Sequence, residues 1–277
     1  MKTKTKILIC THKEVELPHN EVFFPIQTGS ALTTLHWGIQ RDDEGINIST
    51  KNKNYSELTA HYWFWKNYTD YEYVGLCHYR RYFQISYSQP HIEKLLRKSD
   101  IILPTPIYLP YSNGTNLTII LTREDLYILL LCLKKTHPEY LPDAENYLFN
   151  TNQNISFNMF ITRKEIFQAY SAWLFPILEE TEKYVKLSGY TRLKRIYGYF
   201  SEVLLPIWVK HNGLKTSHFP IINYPNQKMS LMQLIKNPLI NFRNNLCFHI
   251  LHGFKHRNFK PLDSVITGMK TDGIPLY

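Results

Sequence analysis

Apolar residues run in short blocks along the chain, and most of these blocks end at polar residues or at a proline. Blocks of this length that are rich in Ile, Leu, Val and Tyr are typical of buried strands. We expect strands at residues 6–10, 71–77, 100–103, 156–161 and 215–222. Several of the stretches between them have a helical pattern instead.

In the first of these helices, apolar positions recur every three or four residues. Leu58, Tyr62 and Trp65 show this spacing. Asn54 or Ser56 is a suitable cap, and we expect the helix to end at residue 67. The preceding polar stretch is expected to form a loop over residues 47–54.

Capping signals predict two further helices. Thr122 followed by Asp125 resembles a capping box, and Thr162 followed by Glu165 fits the S/T-x-x-E pattern. Pro176 should kink or restart the second of these helices. We also expect a loop over residues 104–117 and a helix over about residues 192–211, interrupted near Pro206.

The alternation of strand and helix predicts an α/β fold with a mostly parallel central sheet. We assign residues 1–225 to one catalytic domain and residues 226–277 to a basic amphipathic C-terminal extension. Pro238 is expected at the first position of a helix in this extension. Two interpretations of the extension are compatible: a helical appendage packed on the main domain and a face that docks on a membrane surface. Its apolar positions are Leu239, Phe242, Leu246, Ile250 and Phe254.

The composition indicates the charge of the partner and the cellular compartment. The chain of 277 residues carries a formal net charge of +9, which indicates an anionic partner. Its four cysteines are scattered and none forms a C-x-x-C pair, as is typical of reduced thiols in a cytoplasmic protein. The basic N-terminus has too short an apolar run for a signal peptide, and no run reaches the length of a membrane span.

The common phosphate and metal motifs are missing from the sequence. It contains neither G-x-x-x-x-G-K-[ST] nor G-x-G-x-x-G, and it contains no H-E-x-x-H, no paired Cys/His metal site and no G-x-S-x-G. A D-x-D pair is also absent. Asp42 and Asp43 are the nearest acidic pair, and they could ligate a metal from a loop.

Polar side chains follow two of the predicted strands. His78, Tyr79, Arg80 and Arg81 come directly after the strand at residues 71–77. Ligands of open α/β sheets sit beyond the carboxyl ends of the strands, and arginine matches phosphate oxygens bidentately. These side chains therefore suit a nucleotide diphosphate, although surface ion pairs with a buried histidine would explain the same pattern. The first strand ends in the same way, at Thr11, His12 and Lys13.

Several motifs resemble a bacterial family long labelled only as a domain of unknown function, which occurs in capsule, exopolysaccharide and O-antigen loci. The family includes galactofuranosyltransferases that use UDP-galactofuranose. The resemblance covers about residues 6–212 and implies a GT-A-like fold. The motifs are NIS (47–49), YSELTA (55–60), YW (62–63), WKN (65–67), CHYRRYF (77–83), NMFI (158–161), WLFPIL (173–178) and the residues from Tyr199 to Trp208.

This resemblance implies an inverting transferase that moves a hexosyl group, galactofuranosyl by expectation, from a UDP-sugar to a lipid-linked capsule or O-antigen glycan. The expected acceptor is linked to polyprenyl diphosphate, and the expected location is the cytoplasmic face of the membrane, on an anionic surface. The alternative is a non-catalytic basic protein that binds sugar or nucleic acid. We expect no nucleic-acid partner, because no RNP, KH or zinc signature appears. A homo-oligomer stays open.

By analogy with GT-A folds, His78 and Arg80 would replace the metal that usually holds the diphosphate, and we expect no cofactor. Arg81 would be more structural, because adjacent residues of an extended segment point in opposite directions unless the chain turns. Glu202, on an apolar helix, is the expected general base because burial raises a carboxyl pKa. Glu57 competes for this role. Further expected substrate contacts are Thr11, His12, Lys13, Asn47, Ser49, Asn52, Tyr55, Glu57, Tyr79, Arg81 and Asn158.

Overall fold

The computed structural model describes residues 3–185, 187, 194–225, 231–255 and 262–271. Its two central strands are β1 (Thr5–Thr11) and β4 (Tyr73–His78), which run parallel and pair Leu8 with Leu76. Both are predicted strands. The sheet also contains β2 (Phe23–Gln27), β3 (Gln40–Arg41), β5 (Arg81–Phe83), β6 (Ile101–Pro104), β9 (Phe160–Arg163), β10 (Thr216–Phe219) and β11 (Ile221–Asn223).

The strand order along the sheet is β10-β6-β9-β4-β1-β2-β3, with β5 and β11 paired beside the end of β4. The pairs β10/β6, β4/β1, β1/β2 and β2/β3 are parallel. Only β9 runs against its neighbours along this path of described strands. The prediction of an α/β fold with a mostly parallel central sheet is therefore confirmed.

Helices cover both faces of the sheet. The face that carries Leu8 and Cys10 packs against most of the helices, and the face that carries Ile7 and Ile9 packs against α3. Successive residues of β1 thus enter opposite cores, as the strand period of two requires. The helices are α1 (Asn52–Tyr55), α2 (Leu58–Asn67), α3 (Gln89–Leu96), α4 (Asn113–Leu117), α5 (Arg123–Thr136), α6 (Leu141–Phe149), α7 (Lys164–Glu182), α8 (Ile196–His211), α9 (Leu231–Lys255) and α10 (Leu262–Thr271).

The two predicted capping boxes have different outcomes. The box at Thr122 is confirmed: its hydroxyl accepts the Asp125 N–H, and the Asp125 carboxylate accepts the Thr122 N–H. The box at Thr162 is wrong. Thr162 lies in β9, and its hydroxyl donates to the carbonyl of Asp100 instead. The Thr162 hydroxyl therefore bonds to the backbone beside a neighbouring strand, whereas the sequence pattern predicted that it caps a helix.

The helices are continuous at their prolines, so the predicted restart at Pro176 and the predicted interruption near Pro206 are wrong, whereas the alternative of a kink at Pro176 stays a prediction. Pro176 lies within α7 and Pro206 within α8, and each of these helices continues through its proline. Pro238 lies inside α9, so its predicted place at a helix start is wrong. In α7 and α8, packing of the surrounding buried apolar faces outweighs the missing N–H.

The segment before α2 is more ordered than the predicted loop. Ser49–Lys51 forms a 3₁₀ turn that leads directly into α1. The capping prediction for α2 is also wrong, because the residue at its N-cap is Glu57 and its side chain makes no capping bond. The predicted loop at residues 104–117 contains the short strand β7 (Ile107–Tyr108), which pairs with β8 (Gln153–Asn154), and α4.

Helix α9 of the C-terminal extension is joined to β7. The Tyr108 N–H donates to Asn241 Oδ1, and Asn244 Nδ2 donates to the Tyr108 carbonyl. Within the described part of the chain, none of the helices is both long and apolar enough to cross a bilayer. The boundary between residues 225 and 226 stays a prediction. The basic residues Lys228, Arg257 and Lys260 lie outside the described residues.

Candidate active site

The chain turns sharply after β4, and this turn explains the run of polar residues in CHYRRYF. His78 at the end of β4 pairs with Arg81 at the start of β5. The Tyr224 N–H donates to the carbonyl of Arg80 and holds the turn from outside. Because the chain reverses between His78 and Arg81, the side chains of Arg80 and Arg81 both line one cavity. The expectation that Arg81 points elsewhere assumed an extended segment and is wrong.

This cavity, which we call the cationic pocket, has a volume of about 570 Å³ and lies at the carboxyl ends of β1 and β4. Desolvation first, and then the neighbouring cations Lys13, Arg195 and Arg80, lower the pKa of His12. So much positive charge in a cleft attracts an anion of several charges, such as a diphosphate. The basic side chains on its wall are His12, Lys53, His78, Arg80, Arg81, Lys194 and Arg195.

A smaller cavity of about 250 Å³ adjoins the cationic pocket and contains the carboxyl of Glu202. The pKa of Glu202 is raised to about 7, mainly because the carboxyl is removed from water and secondarily because of the carboxylate of Glu57. A hydrogen bond from the Phe157 N–H and the charges of Arg195 and Arg81 oppose this shift. A carboxyl with a pKa near 7 is suited to general base catalysis at neutral pH.

One face of α8 builds this second cavity, which we call the carboxyl pocket. Gly198, Tyr199 and Glu202 line it, and Arg195 precedes them at the helix N-cap. Residues at i, i+3, i+4 and i+7 share one helix face. The four positions therefore reach the same space.

A buried network holds Glu57 in place. Asn158 Nδ2 donates to Glu57 Oε1 at 2.8 Å and to the Gly198 carbonyl at 3.0 Å, and Ser201 donates to Asn158 Oδ1. Asn158 has φ of 51°, a left-handed conformation that asparagine adopts more readily than most residues. Its amide is fully engaged and it does not line either pocket. It supports Glu57 instead of presenting its own amide to a sugar as expected.

Phe157 contacts both His78, at the end of β4, and Arg81, at the start of β5. Its carbonyl accepts a hydrogen bond from His78 Nε2 at 2.7 Å, so that nitrogen carries the ring hydrogen. The guanidinium of Arg81 lies over its ring at 4.3 Å. Phe157 also has φ of 83°, which is uncommon for a bulky residue. Such strained turns cluster at functional sites, where the surrounding structure holds them.

Most of the predicted residues meet at these pockets. Glu202 and Glu57 lie next to each other in the carboxyl pocket, and Glu57 lines the cationic pocket as well. Tyr79 packs its ring edge against His12 at 5.5 Å. Asn52 reaches the cationic pocket while its amide donates to the Ser56 carbonyl. The predicted residues on the walls are His12, Asn52, Glu57, His78, Tyr79, Arg80, Arg81 and Glu202.

Other predicted residues are absent from the walls, and their polar atoms serve the fold. Thr11 is buried and donates to the Lys13 carbonyl. Asn47 donates to the carbonyls of Asp43 and Gly45 and therefore closes a loop. Tyr55 is buried against another tyrosine ring at 4.7 Å. Lys13, which is exposed, also lies off the walls of both pockets.

The acidic pair that could have held a metal has structural partners. Asp42 accepts the N–H groups of Gly29 and Ser30 and the hydroxyl of Ser49. Asp43 pairs with Arg41. These bonds explain why Ser49 is buried and does not contact the pocket. Over the ranges that the structure describes, no three His, Cys, Asp or Glu side chains gather as they would around a metal ion.

Three cations of the site were not among the predicted substrate contacts: Lys53, Lys194 and Arg195. Arg195 Nε donates to Ser56 Oγ at 2.9 Å, and its Nη2 lies 3.9 Å from Glu57 Oε2. A signal for Arg195 was available, because it stands seven residues before Glu202 on one helix face. Lys53 and Lys194 carry no such pattern, since only the folding of the chain brings them to the pocket.

Comparisons with known proteins agree with this architecture. Residues 6–213 match the family described as a domain of unknown function (DUF4422). The solved apo structure of WbbM, described as a bifunctional glycosyltransferase, is similar with a TM-score of 0.76 and 28% sequence identity. The similarity covers 81% of this chain and 46% of WbbM, so this chain spans less than half of that protein. No curated protein matches the chain significantly.

Proposed function

The chain belongs to the family described as a domain of unknown function (DUF4422), and we propose that it is an inverting glycosyltransferase. It would transfer a hexosyl group from a UDP-sugar to a hydroxyl of a glycan acceptor. One observation carries the proposal: a carboxyl whose pKa is about 7 opens into a cavity that adjoins a pocket lined with basic side chains. The similarity to a bifunctional glycosyltransferase supports the same reaction class.

The cationic pocket would bind the diphosphate of the donor. As the bond from the sugar to the diphosphate breaks, negative charge grows on the leaving UDP, and fixed cations at that point lower the barrier. Each preorganised donor of this kind contributes roughly 3–4 kcal/mol. His78, Arg81 and Arg195 are the best placed, because all three line both the cationic pocket and the carboxyl pocket. Arg80 would complete the clamp without a metal ion.

Glu202 would act as the general base. Inversion needs a single base, which takes the proton of the acceptor hydroxyl while its oxygen attacks the anomeric carbon and UDP leaves on the opposite side. Glu57 is less suited to this step, since Asn158 already donates to its carboxylate. Its charge has a different effect, which is to help raise the pKa of Glu202.

The finer identity of the substrates follows from the resemblance of the motifs to polysaccharide-locus transferases. We propose UDP-galactofuranose as donor and a polyprenyl-diphosphate-linked capsule or O-antigen glycan as acceptor. Tyr79 and His12 would border the nucleoside end of the donor, where the β1 and β4 strand ends meet.

The C-terminal extension supports a location at the cytoplasmic membrane surface. Helix α9 contains no acidic residue and carries Lys236 and Arg243. An apolar stripe with basic flanks is typical of helices that lie in the interface of anionic membranes. Between 52% and 71% of each stripe residue is exposed: Leu239, Phe242, Leu246 and Ile250. We call this set the apolar stripe of α9.

A ligand screen tests the proposed function. Purified protein is heated with UDP, GDP, CMP or ADP, in EDTA and again with Mn²⁺. Ligand at about 100 times its dissociation constant stabilises a protein by roughly 2.7 kcal/mol, which a melting curve resolves. We expect a shift that is selective for UDP and survives EDTA, and that is reduced in Arg81→Ala. A shift that requires Mn²⁺ would contradict the metal-free clamp, and no shift with any nucleotide would contradict the transferase.

A transfer assay then tests the base. We expect Glu202→Gln to keep its affinity for UDP and to lose transfer by about 10²–10⁴-fold. The exposed Glu139, changed to Gln, is the matched control, and it should transfer at the wild-type rate. Wild-type transfer by Glu202→Gln would contradict the assignment and move the role to Glu57.

A further inference from the structure

A third cavity, of about 510 Å³, lies between α9 and residues 104–109. We call it the apolar cleft. Its volume falls in the range of roughly 300–1,000 Å³ that small-ligand sites occupy. Among the residues that the structure describes, no cationic or acidic side chain lines it, in contrast to the cationic pocket. Its apolar wall includes Pro104, Pro106, Ile107, Leu109, Ile221 and Ile240.

The apolar cleft adjoins the proposed catalytic site. Ser156 and Phe157 line both the apolar cleft and the carboxyl pocket, whereas the cleft shares no lining residue with the cationic pocket. The three cavities therefore follow one another, with the carboxyl of Glu202 in the middle. A general base must stand between donor and acceptor. With UDP in the cationic pocket, the apolar cleft lies on the acceptor side.

Chemistry decides what part of an acceptor the cleft can hold. Asparagine side chains line part of the cleft, but a sugar placed against its proline, leucine and isoleucine side chains would leave hydroxyl groups without partners, and each costs free energy when it loses water. An aliphatic chain has no such groups, and it gains from every methylene that leaves water. The wall therefore fits the hydrocarbon part of an amphiphile, whose polar end would extend past Phe157 towards Glu202.

Helix α9 has two different faces, and the cleft uses one of them. Asn237, Ile240, Asn241 and Asn244 line the cleft, at the i, i+3, i+4 and i+7 spacing of a single face. Two of these asparagines bind the backbone of Tyr108 and so fix the helix over the cleft. The apolar stripe of α9 lies on other positions and is exposed.

We propose that the apolar cleft binds the aliphatic chain of an amphiphilic acceptor and so delivers the acceptor's polar head to Glu202. The proposal rests on the proposed function only for the orientation of the aliphatic chain, with its polar head towards Glu202. Binding of the aliphatic chain in the cleft does not depend on the proposed function. Since α9 separates the stripe from the cleft, the same helix would rest on the membrane and guide a lipid tail from it.

Two matched glycosides test the cleft without any donor. Octyl β-D-glucopyranoside, below its micelle concentration, and methyl β-D-glucopyranoside are titrated into the full chain by isothermal calorimetry. They share one sugar and differ only in the chain. We expect the octyl glycoside to bind at least tenfold more tightly than the methyl glycoside. Ile240→Asp should abolish this difference.

Two further variants keep the result interpretable. Ile107→Asp changes the opposite wall at a side chain that is 46% exposed, so no charge enters the core, and it should also abolish the difference. Ile119→Asp is the control, because Ile119 is 80% exposed and lies outside both the cleft and the apolar stripe of α9. It should keep the wild-type preference for the octyl chain.

Each remaining outcome decides the question. Equal binding of the two glycosides by the wild-type protein would overturn the proposal, as would an octyl preference that survives both Ile107→Asp and Ile240→Asp. Loss of methyl glycoside binding in these variants would show that the cleft holds sugar instead. Melting shifts with UDP, recorded on the same samples, separate the two proposals. A preference for the octyl glycoside without a melting shift in UDP would support the lipid site and contradict the transferase.

Discussion

Replacing Glu202 with Gln should stabilise the protein while it removes transfer. The pKa of Glu202 rises from an ordinary value of 4.5 to about 7, so the folded protein holds this proton more tightly than the unfolded chain. Between pH 4.5 and 7 the unfolded chain loses the proton and the folded protein keeps it. The free energy of unfolding therefore falls as the pH rises through this range, and it levels off above pH 7.

The size of the effect follows from the pKa shift. One pKa unit corresponds to about 1.4 kcal/mol, so the ionised carboxyl lowers the free energy of unfolding at pH 8 by about 3 kcal/mol. This is an upper limit, because glutamine must find a partner for its own N–H groups. Its carbonyl oxygen can still accept the bond from the Phe157 N–H. We expect Glu202→Gln to differ little from wild type at pH 5 and to be more stable by up to about 3 kcal/mol at pH 8.

Urea unfolding at pH 5, 6, 7 and 8 measures this difference directly. Wild type, Glu202→Gln and the exposed control Glu139→Gln would be compared at each pH, with transfer measured in parallel. The reasoning predicts that the two Glu202 curves diverge as the pH rises, while the control follows wild type. A constant offset between the curves, or no offset, would refute the raised pKa and with it the choice of Glu202 as base.

Three other predictions test the surroundings of this carboxyl and the sheet. The kcat/KM for transfer should fall about tenfold per pH unit below pH 7, because the base must be deprotonated and the pKa of Glu202 is about 7; a flat profile from pH 5 to 8 would exclude it. Asn158→Ala should lower the free energy of unfolding by about 1–3 kcal/mol and impair transfer, because Glu57 loses a buried amide donor; an unchanged urea midpoint would contradict this. Gly75→Ala should cost about 1–3 kcal/mol, since its Cβ would lie 2.7 Å from Ile7 Cδ1, and Ile7→Val in the same chain should recover part of that loss in the same urea titration.

The sequence predicted most of the sheet because apolar blocks are local signals. β1 and β4 are nearly continuous apolar runs, as strands buried on both faces must be, and both were found within about two residues. β2 was missed, since Pro25 in its middle argues against a strand. The capping box of α5 was found because all of its bonds lie within four residues. The box at Thr162 failed because a distant strand supplied the competing carbonyl.

The candidate site divides along the same line. The motif CHYRRYF identified His78, Arg80 and Arg81 without any structure, because cations directly after a buried strand lie at the carboxyl end of the sheet, where ligands of such folds bind. The turn that brings both arginines into one pocket is held by Tyr224, which lies far along the chain. No local pattern contains that contact.

By itself, the sequence determined the α/β class, the polar residues at the carboxyl ends of β1 and β4, and the position of Glu202 as a carboxyl among apolar neighbours. Only the tertiary structure decided that Asn158 supports Glu57, that Arg195 lines the cationic pocket and that the apolar cleft adjoins the carboxyl pocket at Phe157. The physical reason is range. Hydrophobic period and capping act over a few residues, whereas the pKa of a carboxyl and the shape of a cavity depend on groups that only the folded chain brings together.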